Sequence, residues 1–303
     1  MSEKGYYEPG DNGVEGLPTE LNMFHTSPLL MRTPHWHAQV EINYIVQGWA
    51  HYRMSGHNMT FTQGDLALFW GGLPHLLDDA SDDLVYAGGH LPLVHFFRLR
   101  LPQDVQALLM QGATLLTKAT DNSDTLNFER WNRYARSGDP LKASMAVDEL
   151  LLRIERMRFD PYVLVPGDLK VRGEVVGLDH HSSPVVVRIC EFIAENFRED
   201  IDSADIASVA DIHPKYAMNV FKKATGMTLN DYLNLMRLSY AQALLMQKDA
   251  NVLQVAMASG FGSLSAFNKL FRKVAGMSPS DFRRDVRPRL TILTPIRGNR
   301  SIN

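Results

Sequence analysis

Residues Asn251 to Arg284 read NVLQVAMASGFGSLSAFNKLFRKVAGMSPSDFRR, and this stretch limits the possible folds more than any other. Val252, Val255 and Ala256 recur at helical spacing, and Gly260 follows where a left-handed residue closes a short helix. Phe261 supplies an apolar plug, and Ser263 can cap a second helix through its side-chain oxygen. In that helix Phe267, Leu270 and Phe271 turn inward, while Ser265, Asn268, Lys269, Arg272 and Lys273 turn outward. Gly276, Ser278 and Pro279 stop it and start another short helix, which ends at Phe282-Arg283. A short helix with a polar, basic outer face, braced from behind, is what insertion into a DNA major groove requires.

The same pattern occurs earlier in the chain. Asp202 caps a helix whose third residue is the acidic Asp205, and Ala207 takes the role of Ala256. A turn at Asp211-Ile212-His213 leads into Pro214–Lys223, where Phe221 corresponds to Phe271. Between the copies, Thr228 caps a helix to about Met246 that turns Leu229, Tyr232, Leu233, Met236, Tyr240 and Leu244 inward. At 1.5 Å per residue it spans roughly 27 Å. It can therefore hold two recognition helices on one face, about one turn of DNA apart. The net charge of −3 argues nothing for nucleic acid, but its distribution does. From Lys215 to Arg289 twelve Lys and Arg face four Asp, a local surplus of about eight positive charges.

Before this region the hydrophobic period shortens. From about Phe24 to Leu99 the runs VEINYIVQG, AHYRMSG, NMTFTQG, DLALFWGG and LVYAGG are punctuated by Gly and Pro, which predicts an antiparallel barrel or sandwich. His35, His37 and Glu41 share one parity, so on a strand they point to one face and can meet His75 in a barrel mouth. Three imidazoles and a carboxylate can hold a first-row metal or make a polar ligand pocket. The expectation is a ligand pocket without stoichiometric metal and without a cofactor. Trp36, Tyr44, Trp49, Tyr52, Phe69 and Trp70 lie in the same segment, and aromatic faces beside hydrogen-bonding groups suit a sugar. The ligand-binding set expected is thus His35, Trp36, His37, Glu41, Trp70 and His75.

The remaining segments divide the chain into two domains. Residues 1 to 24 are rich in Gly, Glu and Asn without periodicity and read as a loose tail. A helical pattern fills Asp104 to Phe159, and Ala143, Val147, Leu150, Leu151, Ile154 and Met157 form a stripe that buries against the barrel or against a second subunit. Residues 161–184 have linker composition, 185–284 form an all-α domain with helix-turn-helices at 203–224 and 251–274, and 285–303 form a tail. No apolar run reaches the eighteen or so residues of a membrane span. The one cysteine, Cys190, sits among apolar residues, so buried packing in a reducing, cytoplasmic setting is expected.

The run V-A…G-F-x-S-x-S-A-F…F-R-K…G-M-S-P-S-D-F-R resembles the second DNA-binding motif of the AraC/XylS transcription regulators. In the first copy Asp211 stands where the family has Gly, and His213 where it has a Ser cap; Asp tolerates the left-handed conformation the turn needs. His35 through Gly48 and Gly64 through His75 resemble the two half-motifs of a cupin jelly roll, with Trp70 in place of Pro and Asp79 in place of Asn. The words H-W-H-A-Q-V-E, Q-G-D-L-A-L-F-W, L-P-H, D-E-L-L-L-R and Y-A-M-N-V-F resemble sugar-responsive members of the AraC/XylS family.

The resemblance implies an all-β cupin-like barrel with packed helices, followed by an all-α domain with two helix-turn-helices. It implies a regulator that binds double-stranded DNA as a homodimer, contacts RNA polymerase, and answers to an α-galactoside such as melibiose. Aligned on Phe221 and Phe271, Lys215, Met218, Asn219, Ser265, Asn268 and Lys269 take the base-contacting positions. Lys222, Lys223, Arg272 and Lys273 lie further along and meet phosphates. No catalytic residue is expected. A cupin-type metal-dependent enzyme, or a regulator sensing another kind of ligand, is the alternative. Metal chemistry alone has no use for two basic helix-turn-helices.

Overall fold

A computed structural model describes residues 21–27, 30–31, 34–54, 57–119, 123–167, 183–246 and 251–286. Residues 1–20 of the loose tail expected at the N-terminus, most of the expected linker and the C-terminal tail from residue 287 lie outside these residues, as do Lys248, Arg287 and Arg289; the end of the expected tail is instead ordered, since Asn22–Thr26 pairs as a strand.

The N-terminal half is built from strands β1 (Asn22–Thr26), β2 (Gln39–Gln47), β3 (Trp49–Met54), β4 (His57–Thr62), β5 (Asp65–Trp70), β6 (His75–Ala80), β7 (Val85–Pro92), β8 (Thr114–Lys118) and β9 (Tyr162–Val165). They form an antiparallel six-stranded sheet, ordered β1-β7-β2-β5-β8-β9, and a three-stranded sheet, ordered β4-β3-β6. Among the described residues the strands lie in these two sheets rather than in one closed barrel. Alternation assigns the two faces of the larger sheet. Phe24, Ile45, Ala67 and Phe69 point between the sheets and pack with Ala50, Tyr52, Phe61 and Leu77 of the smaller one. Val40, Ile42, Tyr44, Leu66, Leu68 and Trp70 point the other way, into a second core.

Helices α1 (Leu93–Phe96), α2 (Gln103–Met110), α3 (Ser123–Ala135) and α4 (Pro140–Arg156) belong to this second core. Tyr44 stacks on Phe128 of α3 at 5.7 Å. Leu150, Leu151, Ile154 and Met157 of the sequence stripe are buried within the same chain, whereas Leu141, Met145 and Leu152 on the rest of α4 are exposed. The expected linker contributes structure at its start, because Tyr162–Val165 pairs with β8 as an edge strand.

The C-terminal half holds α5 (Ser183–Asn196), α6 (Ser203–Ser208), α7 (Pro214–Thr225), α8 (Leu229–Met246), α9 (Val252–Ala258), α10 (Leu264–Ala275) and α11 (Pro279–Val286). Helix α8 is the spine. The inward residues read from the sequence are only part of its buried surface, since Leu235, Leu238, Ala241 and Leu245 are buried as well. A helix apolar on most sides lies between packed neighbours rather than at a surface. The apolar core is continuous across the two halves, running from Trp36, Trp70 and Phe96 to Ile189, Ala241 and Phe271. Among the described residues no helix is long and apolar enough to cross a membrane.

Candidate functional site

Each helix-turn-helix is locked by local chemistry. In the first, the Asp202 carboxylate accepts from the Ala204 and Asp205 amides at 2.7 and 3.0 Å, and the Asp205 side chain accepts from the Asp202 amide. Asp211 takes φ 52°, the left-handed turn between α6 and α7, and the His213 ring nitrogen accepts from the Lys215 amide at 3.2 Å. In the second, Asn251 and Gln254 make the corresponding capping box, and Ser263 Oγ accepts from the Ala266 amide at 3.2 Å. Gly260 has φ 82°, and a Cβ there would lie 2.8 Å from backbone atoms of Phe197 and Arg198. Only glycine meets both demands. Phe221, Phe267 and Phe271 are fully buried behind the two faces.

On the outer faces, Lys215, Met218, Asn219, Lys222 and Lys223 of α7 are exposed, as are Ser265, Lys269, Arg272 and Lys273 of α10. Asn268 is half-buried. It shares an open cleft of about 620 Å³ with Lys269, Arg272, Lys273, Ser278 and Ser280. Lys269, Arg272 and Lys273 make this cleft cationic.

The second cluster lies between the sheets. Glu41 Oε2 is 3.0 Å from His37 Nε2, 3.1 Å from His75 Nε2 and 3.7 Å from His90 Nε2. His35 joins by backbone pairing with His75, donating at 3.0 Å and accepting at 2.9 Å, with ring centroids 4.1 Å apart. Asn43 donates to Glu41 Oε1 at 2.7 Å and to the Tyr52 hydroxyl at 3.2 Å. His35, His37, Glu41, His75 and His90 are all buried. Burial lowers the basicity of His35 and His37. Burial alone would raise the Glu41 carboxyl, but the bonds from His37 and His75 outweigh it and hold the group well below the usual carboxylate range. A Cβ on Gly71 would fall 2.1 Å from the His37 ring, so that glycine keeps the place His37 occupies.

A helix-turn-helix domain model matches residues 206–285. The melibiose operon regulatory protein of Escherichia coli K12 is 29% identical over 258 residues, 85% of each chain. The regulatory protein PocR of Salmonella typhimurium is 26% identical over 69% of each chain. In fold, an apo ToxT variant from Vibrio cholerae is similar, with a TM-score of 0.50, 14% identity, and coverage of 88% of this chain and 97% of that one. The matched domain is of the AraC type, and the chain is similar to transcription regulators of the AraC/XylS family.

In this chain the six residues expected to bind ligand do not share one site. His35, His37, Glu41 and His75 come together. Trp36 and Trp70 lie on the opposite side of the sheet. Trp70 pairs in register with Val40, whereas Phe69 pairs with Glu41, so Trp70 has the outward parity. The Trp36 ring lies edge-on to Phe271 of α10 at 5.6 Å and 6.2 Å from Phe282 of α11. The expectation of a sugar platform at these two tryptophans is corrected on that ground. Alternation carried the signal: a residue between two inward histidines points outward. His90, missed in the sequence, enters because β7 pairs it with Glu41. Its only sequence cue was the run of small residues before it, Ala87-Gly88-Gly89.

Proposed function

We propose that this chain reads operator DNA with both helix-turn-helices and changes its transcriptional output when a sugar, an α-galactoside such as melibiose, is present. The observation that carries the DNA reading is the pair of capped, braced helices α7 and α10, each with a polar and cationic outer face. Lys215, Met218, Asn219, Ser265, Asn268 and Lys269 contact bases in this reading, and Lys222, Lys223, Arg272 and Lys273 contact phosphates. The sugar class is supported by the melibiose operon regulatory protein, whose similarity extends over 85% of this chain, well beyond the DNA-binding half. Assembly as a homodimer is supported by the exposed Leu141, Met145 and Leu152 on α4, and RNA polymerase is the partner through which a bound regulator acts.

The test is selection of a preferred site from random duplex DNA by the full chain, followed by titration of the complex with melibiose and other α-galactosides. A selected site whose affinity shifts on adding melibiose is the expected result. Failure to enrich any site would refute the DNA reading. An enriched site indifferent to every α-galactoside would refute only the sugar.

A further inference from the structure

The two helix-turn-helices are copies of one frame, and laying one on the other separates what they share from what they do not. Helices α7 and α10 each have 12 residues and begin after a side-chain cap, His213 or Ser263. Each ends at a left-handed glycine, Gly226 with φ 73° and Gly276 with φ 72°. Phe221 and Phe271 therefore occupy the same place behind the outer face, both fully buried. In this register Lys222 corresponds to Arg272 and Lys223 to Lys273, so both phosphate-facing positions keep their charge. The three base-facing positions all differ: Lys215 corresponds to Ser265, Met218 to Asn268 and Asn219 to Lys269. A phosphate is the same under either helix, whereas a base need not be.

Met218 carries the chemical contrast. It is 42% exposed, so it does not serve the core behind α7, and Lys215 and Lys222, three residues before and four after, place it on the outer face. Tyr216, 50% exposed, lies at the flank, on the stripe of Lys223 seven residues on. Among the described residues α10 has no exposed large apolar side chain. In the major groove a base edge offers donors and acceptors that a thioether cannot satisfy, and one apolar group, the thymine methyl. Pressing Met218 on any other edge would strip water from polar atoms without replacing their bonds. Its unbranched chain can follow a methyl at the angle the docked helix presents. Asn219 beside it can make the two-bond pair with adenine N6 and N7, whereas Lys269, at the same place in α10, suits guanine O6 and N7.

We propose that the two helices read chemically different windows of DNA: in the α7 window Met218 meets a thymine methyl and Asn219 an adenine, and in the α10 window Lys269 bonds a guanine. This division of labour rests on the DNA reading above and adds the base class that each helix selects. Two unlike windows also give a single bound subunit a direction on the duplex, because its site has distinguishable ends.

The test starts from sites that the full chain selects from random duplex DNA, with the α10 window identified as the one whose protection Lys269→Ala weakens. In the other window each thymine is replaced in turn by deoxyuridine, which removes only the 5-methyl group. One replacement should weaken wild-type binding about fourfold, the contribution of one buried methyl, and change binding by Met218→Ala less than about twofold. Deoxyuridine in the α10 window should have no such effect, and that window should contain a guanine. An α7 window without thymine or indifferent to every replacement, Met218→Ala as sensitive as wild type, an α10 window without guanine or equally sensitive to deoxyuridine, or a Lys269→Ala that weakens neither window would overturn the proposal. The wild-type replacement series decides even where a variant does not fold. Failure to enrich any site would refute the DNA reading itself, and the assignment of bases with it.

Discussion

Trp36 shows how much one side chain's direction decides. Its neighbours His35 and His37 turn into the space between the sheets, so its ring turns out and becomes part of the floor beneath α10. On α10 itself, direction separates two kinds of contact. Lys269 lies at the position expected to reach base edges, and Lys273 lies one turn further along. Lys269→Ala should relax preference at particular operator positions by about 1–3 kcal/mol. Lys273→Ala should weaken all sequences alike and flatten the salt dependence by about one unit of slope. Binding titrations on operator and random duplexes at several salt concentrations check both. Ser263→Ala removes the oxygen that accepts from the Ala266 amide and should cost about 1 kcal/mol of stability, read as a lower denaturation midpoint. At this scale the caps were legible, because Asp202, Ser263 and Thr228 act within three residues of themselves. Trp70 and His90 were not, because their roles depend on which strand pairs with which, and register is a property of two distant segments.

Among elements, the hairpin of α3 and α4 is tied by a buried bidentate pair, Arg153 Nε and a terminal nitrogen donating to Asp124 at 2.7 and 2.8 Å. Asp124→Asn would leave the buried guanidinium with the Asp160 carboxylate, 3.5 Å away, as its remaining countercharge, and a loss of about 3 kcal/mol is expected in urea unfolding. Helix periods and the two helix-turn-helices were readable because 3.6-residue spacing is local. The strand Tyr162–Val165 was not: four residues between prolines read as linker until β8 supplies a partner for their backbone. Helix α8 was half legible. Its stripe marked one face, whereas the burial of Leu235, Leu238 and Leu245 comes from neighbours its own sequence does not name.

At the scale of the molecule, α8 sets the distance between the two reading helices, and the β domain is docked on the same helical unit through Trp36 and Gln242. A spine of 18 residues, roughly 27 Å long, suits two successive major-groove windows on one face of the duplex. The succession of a β half and a helical half was legible from the shift in hydrophobic period along the chain; the expected cupin-like barrel was not found, the strands lying in two sheets among the described residues, and the docking of the halves was not legible, since it rests on packing between residues more than 200 positions apart. Hydroxyl-radical footprinting on the selected operator tests the central claim most directly. Two protected windows about one helical turn, 10–10.5 base pairs, apart on the same face of the DNA are expected for each bound subunit, with the window belonging to α10 weakened by Lys269→Ala. A single window, or two that Lys269→Ala leaves untouched, would contradict it.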